Sequence, residues 1–219
     1  MVLVLVASML LSACGAGDRD REAVAFLEEV WAAHGEVATW ERLTRLAFTR
    51  QEAYFTADGQ VERNQTTDFN FRNRPEKESS ALWVREEVRH AVQQDRQGLR
   101  YSMGENAIEN PGFLAQQERF LTQARLWAEG PFALRAEENT EWRYEGEGRP
   151  AFLEDAAVGI RVVPKGGEAD AFRVYYFHPK SYLLQAVYWK ERGAERLLLY
   201  GGYVAEGGFF WPEAQEEWF

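Results

Sequence analysis

The stretch Ala171–Lys190, AFRVYYFHPKSYLLQAVYWK, decides the fold. Phe172, Val174, Tyr176 and His178 alternate with Arg173, Tyr175 and Phe177, and this period of two predicts a strand over 171–177 that is apolar on both faces. His178-Pro179-Lys180-Ser181 punctuates it, and Tyr182–Lys190 has the same two-sided character. So short a connection favours antiparallel neighbours, since a parallel crossover needs a dozen residues or more. Strands of this kind belong in the middle of a sheet that helices cover on one side while the other face lines something apolar.

Working outward, further strands are expected over Thr140–Tyr144, Ala157–Pro164, Arg196–Tyr203 and Gly208–Trp211, with punctuation at Lys165-Gly166-Gly167, Arg192-Gly193 and Gly207-Gly208. Earlier in the chain, Thr44–Thr56 and Val61–Arg72 flank the hairpin signal Ala57-Asp58-Gly59, and Leu82–Asp95 and Leu99–Met103 flank Gln97-Gly98. Two segments have helical period instead. Ala23, Phe26, Leu27, Val30 and Trp31 form an apolar stripe after the capping residues Asp18 and Asp20. Phe113, Leu114, Phe120, Leu121, Ala124 and Trp127 form another, opened by Asn110-Pro111 and closed by Gly130-Pro131. The expected architecture is α+β and mainly antiparallel β: a strongly curved, unclosed β-barrel with an N-terminal helix and one inserted helix. So large an apolar sheet face must close or be plugged.

Composition narrows the function. The chain has 219 residues, 46% apolar and 27% charged, with 35 acidic against 25 basic side chains and a net charge of -10. The apolar content excludes disorder, and the acidic balance disfavours a nucleic-acid partner. Three histidines, His34, His90 and His178, lie far apart in sequence and lack metal-site spacing, so no metal or cofactor is expected. No nucleophile elbow or phosphate-cradling glycine motif is present. Glu28-Glu29, Glu86-Glu87, Glu137-Glu138 and Glu216-Glu217 are adjacent pairs; on a strand such neighbours point to opposite faces, which does not suit a glycosidase. An enzyme is therefore not expected, an unrecognised hydrolase being the least favoured alternative.

Met1–Leu11, MVLVLVASMLL, has the length of a signal-peptide apolar segment and is too short to span a bilayer. Leu11-Ser12-Ala13-Cys14 resembles a bacterial lipobox residue for residue and contains the only cysteine. The expected organisation is a lipoprotein signal peptide over 1–13, a lipidated tether over 14–18 with acylated Cys14 as membrane anchor, and a single domain over 19–219.

Three stretches carry a family resemblance. They are the helix leading through His34-Gly35 to Trp40, the Tyr175–Leu184 strand-turn-strand, and Tyr200-Gly201-Gly202-Tyr203 through Gly207-Gly208-Phe209-Phe210-Trp211-Pro212. Together they resemble the uncharacterised bacterial lipoproteins grouped with the outer-membrane lipoprotein-sorting proteins. The resemblance implies an unclosed barrel with a helical lid and an apolar interior that accepts acyl chains, and a lipid-anchored place in the bacterial envelope on the periplasmic face of the outer membrane. At the hairpin tip Asp95-Arg96-Gln97-Gly98, this chain is polar where the sorting receptor carries an apolar loop.

The candidate ligand wall follows from strand faces. Read as one strand, Leu82–Val92 places Leu82, Val84, Glu86, Val88, His90 and Val92 on one face. Phe172, Val174 and Tyr176 supply a second wall segment. Glu86 and His90 either orient a polar head inside the cavity or meet water at the sheet margin. The expected function is to hold a lipid, an acyl chain or a lipoprotein, as a monomer. The alternative is a structural or interaction lipoprotein whose concave face is filled by its own helices.

Overall fold

Among the described residues each sheet is built from strands that pair with their neighbours in sequence, so local hairpin closure builds both sheets. The computed structural model describes residues 20–137, 139–166, 170–191 and 193–218. The signal peptide, Cys14 and the tether expected over 1–18 lie outside the described residues.

The strands form two six-stranded antiparallel sheets, and neither closes on itself. The first runs β1 (Arg45–Phe55), β2 (Val61–Arg72), β3 (Glu78–Arg85), β4 (Val88–Asp95), β5 (Gly98–Met103) and β6 (Asn106–Ala107). The second runs β7 (Thr140–Gly148), β8 (Ala157–Pro164), β9 (Phe172–Phe177), β10 (Leu184–Glu191), β11 (Ala194–Glu206) and β12 (Phe209–Trp218). The helices among the described residues are α1 (Arg21–His34), α2 (Val37–Arg42), α3 (Pro111–Glu129) and a 3-10 segment over Gly130–Ala136. The fold is thus α+β with unclosed antiparallel sheets. The described residues fall into two compact units: those within 35–136 and 206–211, and those within 20–34, 137–205 and 212–218.

In the second sheet, β9 and β10 are central, as their two-sided apolar pattern requires. Val174, Tyr175, Phe177, Leu184, Ala186 and Val187 are all buried. Helix α1 covers one face of it through the stripe Ala23, Leu27, Val30 and Trp31. Phe26 packs on Tyr144, Phe177 and Tyr182 at 5.4–5.9 Å, and Trp31 on Trp142 at 6.2 Å. His34 ends the helix buried and fully bonded. Its Nδ1–H donates to the Val30 carbonyl at 2.9 Å, and its Nε2 accepts the Leu184 N–H at 3.2 Å. Tyr203 donates its hydroxyl to the Leu184 carbonyl at 2.6 Å. The loop after β9 is held by His178, whose Nδ1 accepts the N–H groups of Lys180 and Ser181. Tyr182 adopts φ 58° there, and β10 consequently begins at Leu184.

In the first unit, Asn110 caps α3 by accepting the Phe113 N–H at 3.0 Å, and Gly130 ends it at φ 52°. The face carrying Phe113, Phe120, Leu121 and Ala124 packs on Phe69, Phe71, Ala81, Trp83, Val92 and Tyr101. Gly35, at φ 139°, lies against Phe209; a Cβ there would stand 2.3 Å from the Phe209 ring and 2.9 Å from the Gly208 carbonyl. Trp40 stacks on Phe132 at 4.5 Å and meets Phe209 edge-on at 5.8 Å. Within their own units, residues of the three motifs that carry the resemblance therefore make close structural contacts.

Candidate functional site

The segment expected as one strand over 82–95 is two strands joined by a two-residue turn. Glu86 and Glu87 take φ 50° and 65°, and the register Arg85↔Val88, Val84↔Arg89, Trp83↔His90 follows. Positive φ at both central residues is the geometry that suits the right-handed twist of a tight hairpin. The turn inverts the parity of the buried face: Ser79, Ala81 and Trp83 point toward α3 on β3, and His90 and Val92 on β4. The expected even-numbered wall is therefore corrected. Leu82 and Val84 lie on the opposite face, where Val84 is 64% exposed, and Glu86 is in the exposed turn. Val88 and His90 remain on the helix-bearing side.

Phe172, Val174 and Tyr176 belong to β9 of the second sheet, on the face away from α1, since the alternate residue Phe177 meets Phe26. Tyr176 packs under Phe152 at 5.3 Å, and the Arg161 guanidinium lies 4.1 Å over the Phe172 ring. The eight expected residues are thus divided between two units, and those of the first sheet between its two faces as well.

The helix-bearing face of the β1–β6 sheet assembles a different group. His90 stacks on Trp83 at 5.3 Å, and its Nδ1 bonds the Tyr101 hydroxyl. Tyr101 meets Phe113 edge-on at 4.7 Å, and Phe120 contacts both Phe69 and Trp83. Along β1 and β2, toward the 55/61 tip, the same face turns from aromatic to polar. The register pairs Arg50 with Thr67, Glu52 with Gln65 and Tyr54 with Arg63.

Arg50 lies 4.8 Å above both Phe69 and Trp127 and pairs with Glu52 at 2.9 Å. Arg63 covers the Tyr54 ring at 3.8 Å. Burial, and then the Glu52 charge, push the Tyr54 hydroxyl upward, while Arg63 and Arg50 act in the opposite sense. Three buried atoms of this cluster, Arg50 Nε, Glu52 Oε2 and Arg63 Nε, have no hydrogen-bond partner. Sequence reading passed over Arg50, Tyr54 and Arg63. Their signal was available in the alternation of β1, which puts Arg50, Glu52 and Tyr54 on the face of Leu46 and Phe48.

Five large apolar side chains are exposed near one end of this sheet: Phe55, Val61, Val84, Val88 and Met103. All flank the hairpin connections after β1, β3 and β5. Met103 pairs with His90, so it and Val88 lie on the helix-bearing side. Among the described residues no group of three or more metal-ligating side chains assembles, and no helix is long and apolar enough to cross a membrane.

No protein-family model and no curated protein matches the chain. Among solved structures it is similar to a DUF1329 family protein from Desulfovibrio piger ATCC 29098, at 10% identity over 87% of this chain and 83% of that one, with a TM-score of 0.47. It is also similar to MucB, at 17% identity over 81% of this chain and 57% of that one, with a TM-score of 0.33. For the Pseudomonas aeruginosa MucA/MucB complex the identity is 18%, over 90% of this chain and 57% of that one, with a TM-score of 0.29. The chain spans little more than half the length of the MucB chains it matches. At these identities function must be read from the residues of the chain itself.

Proposed function

We propose that this protein is a lipid-anchored component of the bacterial envelope, attached through acylated Cys14 at the periplasmic face of the outer membrane. It binds an acyl chain or another elongated apolar molecule on the helix-bearing face of the β1–β6 sheet, as a monomer and without catalysis. The observation that carries this reading is the exposure of two large apolar side chains, Val88 and Met103, side by side on the helix-bearing face. Apolar residues scattered singly over a surface need no explanation, whereas a grouped set marks a contact surface. Val88 and Met103 extend the aromatic face of Trp83 and Tyr101 toward that end. A tail covering them gains roughly 25 cal/mol per Å² removed from water, before association costs.

A second reading, an interaction or structural lipoprotein with a self-filled core, is favoured by α3, which already occupies the face over Phe69, Phe71 and Trp83. Lipid extraction of the full chain, purified without detergent and analysed by mass spectrometry, separates the two. The first reading expects an apolar ligand in amounts comparable to the protein, and the second expects none.

A further inference from the structure

We infer that the Arg50–Glu52–Tyr54–Arg63 cluster is a head-group site, which makes the ligand an amphiphile with one anionic oxyanion head, such as a carboxylate, on its apolar tail. The inference rests on the apolar-ligand reading and specifies which member of that class is held.

Four observations support it. First, the cluster lies on the same face as the apolar surface, because Arg50, Glu52 and Tyr54 alternate in phase with Leu46 and Phe48, and Phe48 stacks on Phe69 at 5.2 Å. Second, its groups are contiguous: Arg63 pairs across the strands with Tyr54 and lies 3.8 Å over its ring, and Arg50 pairs with Glu52 at 2.9 Å. Third, it is unbalanced, with two guanidinium groups facing one carboxylate, so it retains one positive charge that a monoanion would neutralise. Fourth, it is unsatisfied. Buried polar groups ordinarily have partners, yet the Nε atoms of both arginines have none. A guanidinium presents donors in a planar fork that matches an oxyanion, so Arg63 Nε–H and Arg50 Nε–H are donors awaiting an acceptor.

The aromatic setting favours an amphiphile over a bare anion. The guanidinium carbon of Arg50 lies 4.8 Å from the ring centres of both Phe69 and Trp127, with Phe120 at 5.9 Å. An anion paired with Arg50 therefore has the partly exposed Trp127 beside it as apolar surface for a tail. Glu52 would repel the head, and its own unpartnered Oε2 suits a hydroxyl donor next to the anionic centre.

Isothermal titration of the full chain carrying Cys14→Ser, at pH 8, tests the inference with two probes of equal tail length, laurate and its neutral glycerol monoester. Laurate should bind at least about tenfold tighter, the scale of one charge-assisted hydrogen bond. Arg63→Gln should remove that preference while leaving the ester's affinity within about twofold, and Glu52→Gln should tighten laurate binding, a gain that misfolding does not produce. Acetate, a head without a tail, should not compete. Equal affinity for the two probes, a preference that survives Arg63→Gln, or competition by acetate would overturn the head-group site while leaving apolar binding intact. Failure of both probes to bind would overturn the site together with the reading it rests on.

Discussion

Lowering the pH from 7 to 4 should remove about 3 kcal/mol of stability through His34 alone. The imidazole is 3% exposed, and burial pushes its pKa down from 6.5 to about 4, against a smaller upward pull from its bond to the Val30 carbonyl. The folded protein thus holds neutral His34 over a range in which the unfolded chain binds a proton. Stability contributed by this group is complete above about pH 6.5, declines as pH falls, and is lost near pH 4. At about 1.36 kcal/mol per pH unit, the interval between those two values gives the 3 kcal/mol. Geometry explains the resistance: a proton on Nε2 would set a donor against the Leu184 N–H, which Nε2 now accepts. Urea unfolding followed by circular dichroism between pH 7.5 and 4, for wild type and His34→Gln, isolates the effect, since carboxylates titrate alike in both. The gap between the two proteins should narrow by about 3 kcal/mol over that range. A gap independent of pH would refute the assignment of a buried, neutral His34.

Phe120→Ala should lower the stability of the residue 35–136 unit by about 3 kcal/mol, because Phe120 fills the space between Phe69 and Trp83, while Gln116→Ala should cost under about 0.5 kcal/mol; urea midpoints compare them. Glu86→Asn with Glu87→Gly should stabilise the same unit by about 1 kcal/mol, since both positions take positive φ, and an unchanged or lower midpoint would contradict the turn. Metabolic labelling with a fatty-acid analogue should tag the wild-type chain and not Cys14→Ser; a label on both would remove Cys14 as the anchor.

The antiparallel framework was legible because period-two runs and Gly- or Pro-containing turns mark most hairpins, and α3 was legible from Asn110-Pro111 to Gly130 because both ends carry their chemical signals. The turn at Glu86-Glu87 was not, since it uses two residues that rarely adopt positive φ and lacks the Asn-Gly or Asp-Gly signature. Missing that one turn inverted the facing of Leu82 and Val84 relative to His90, and with it much of the expected wall. Phe172, Val174 and Tyr176 were correctly placed on one strand face, but parity cannot say which face a helix covers, nor that β9 belongs to a separate unit from β3 and β4. The Arg50–Arg63 cluster escaped attention because charged residues on an alternating strand ordinarily face water; only the register opposite Thr67 and Arg63 shows that these turn inward.

Displacement of a dansyl-labelled fatty acid from the full chain carrying Cys14→Ser tests the central claim most directly when three valine and methionine positions are compared. Val88→Glu and Met103→Glu place a charge on the helix-bearing face, whereas Val84→Glu places the same charge on the opposite face of the same hairpin. The account expects saturable binding by the wild type, a loss of about tenfold or more in the first two variants, and wild-type affinity in the third. Absence of binding, or equal affinity in all three variants, would contradict it.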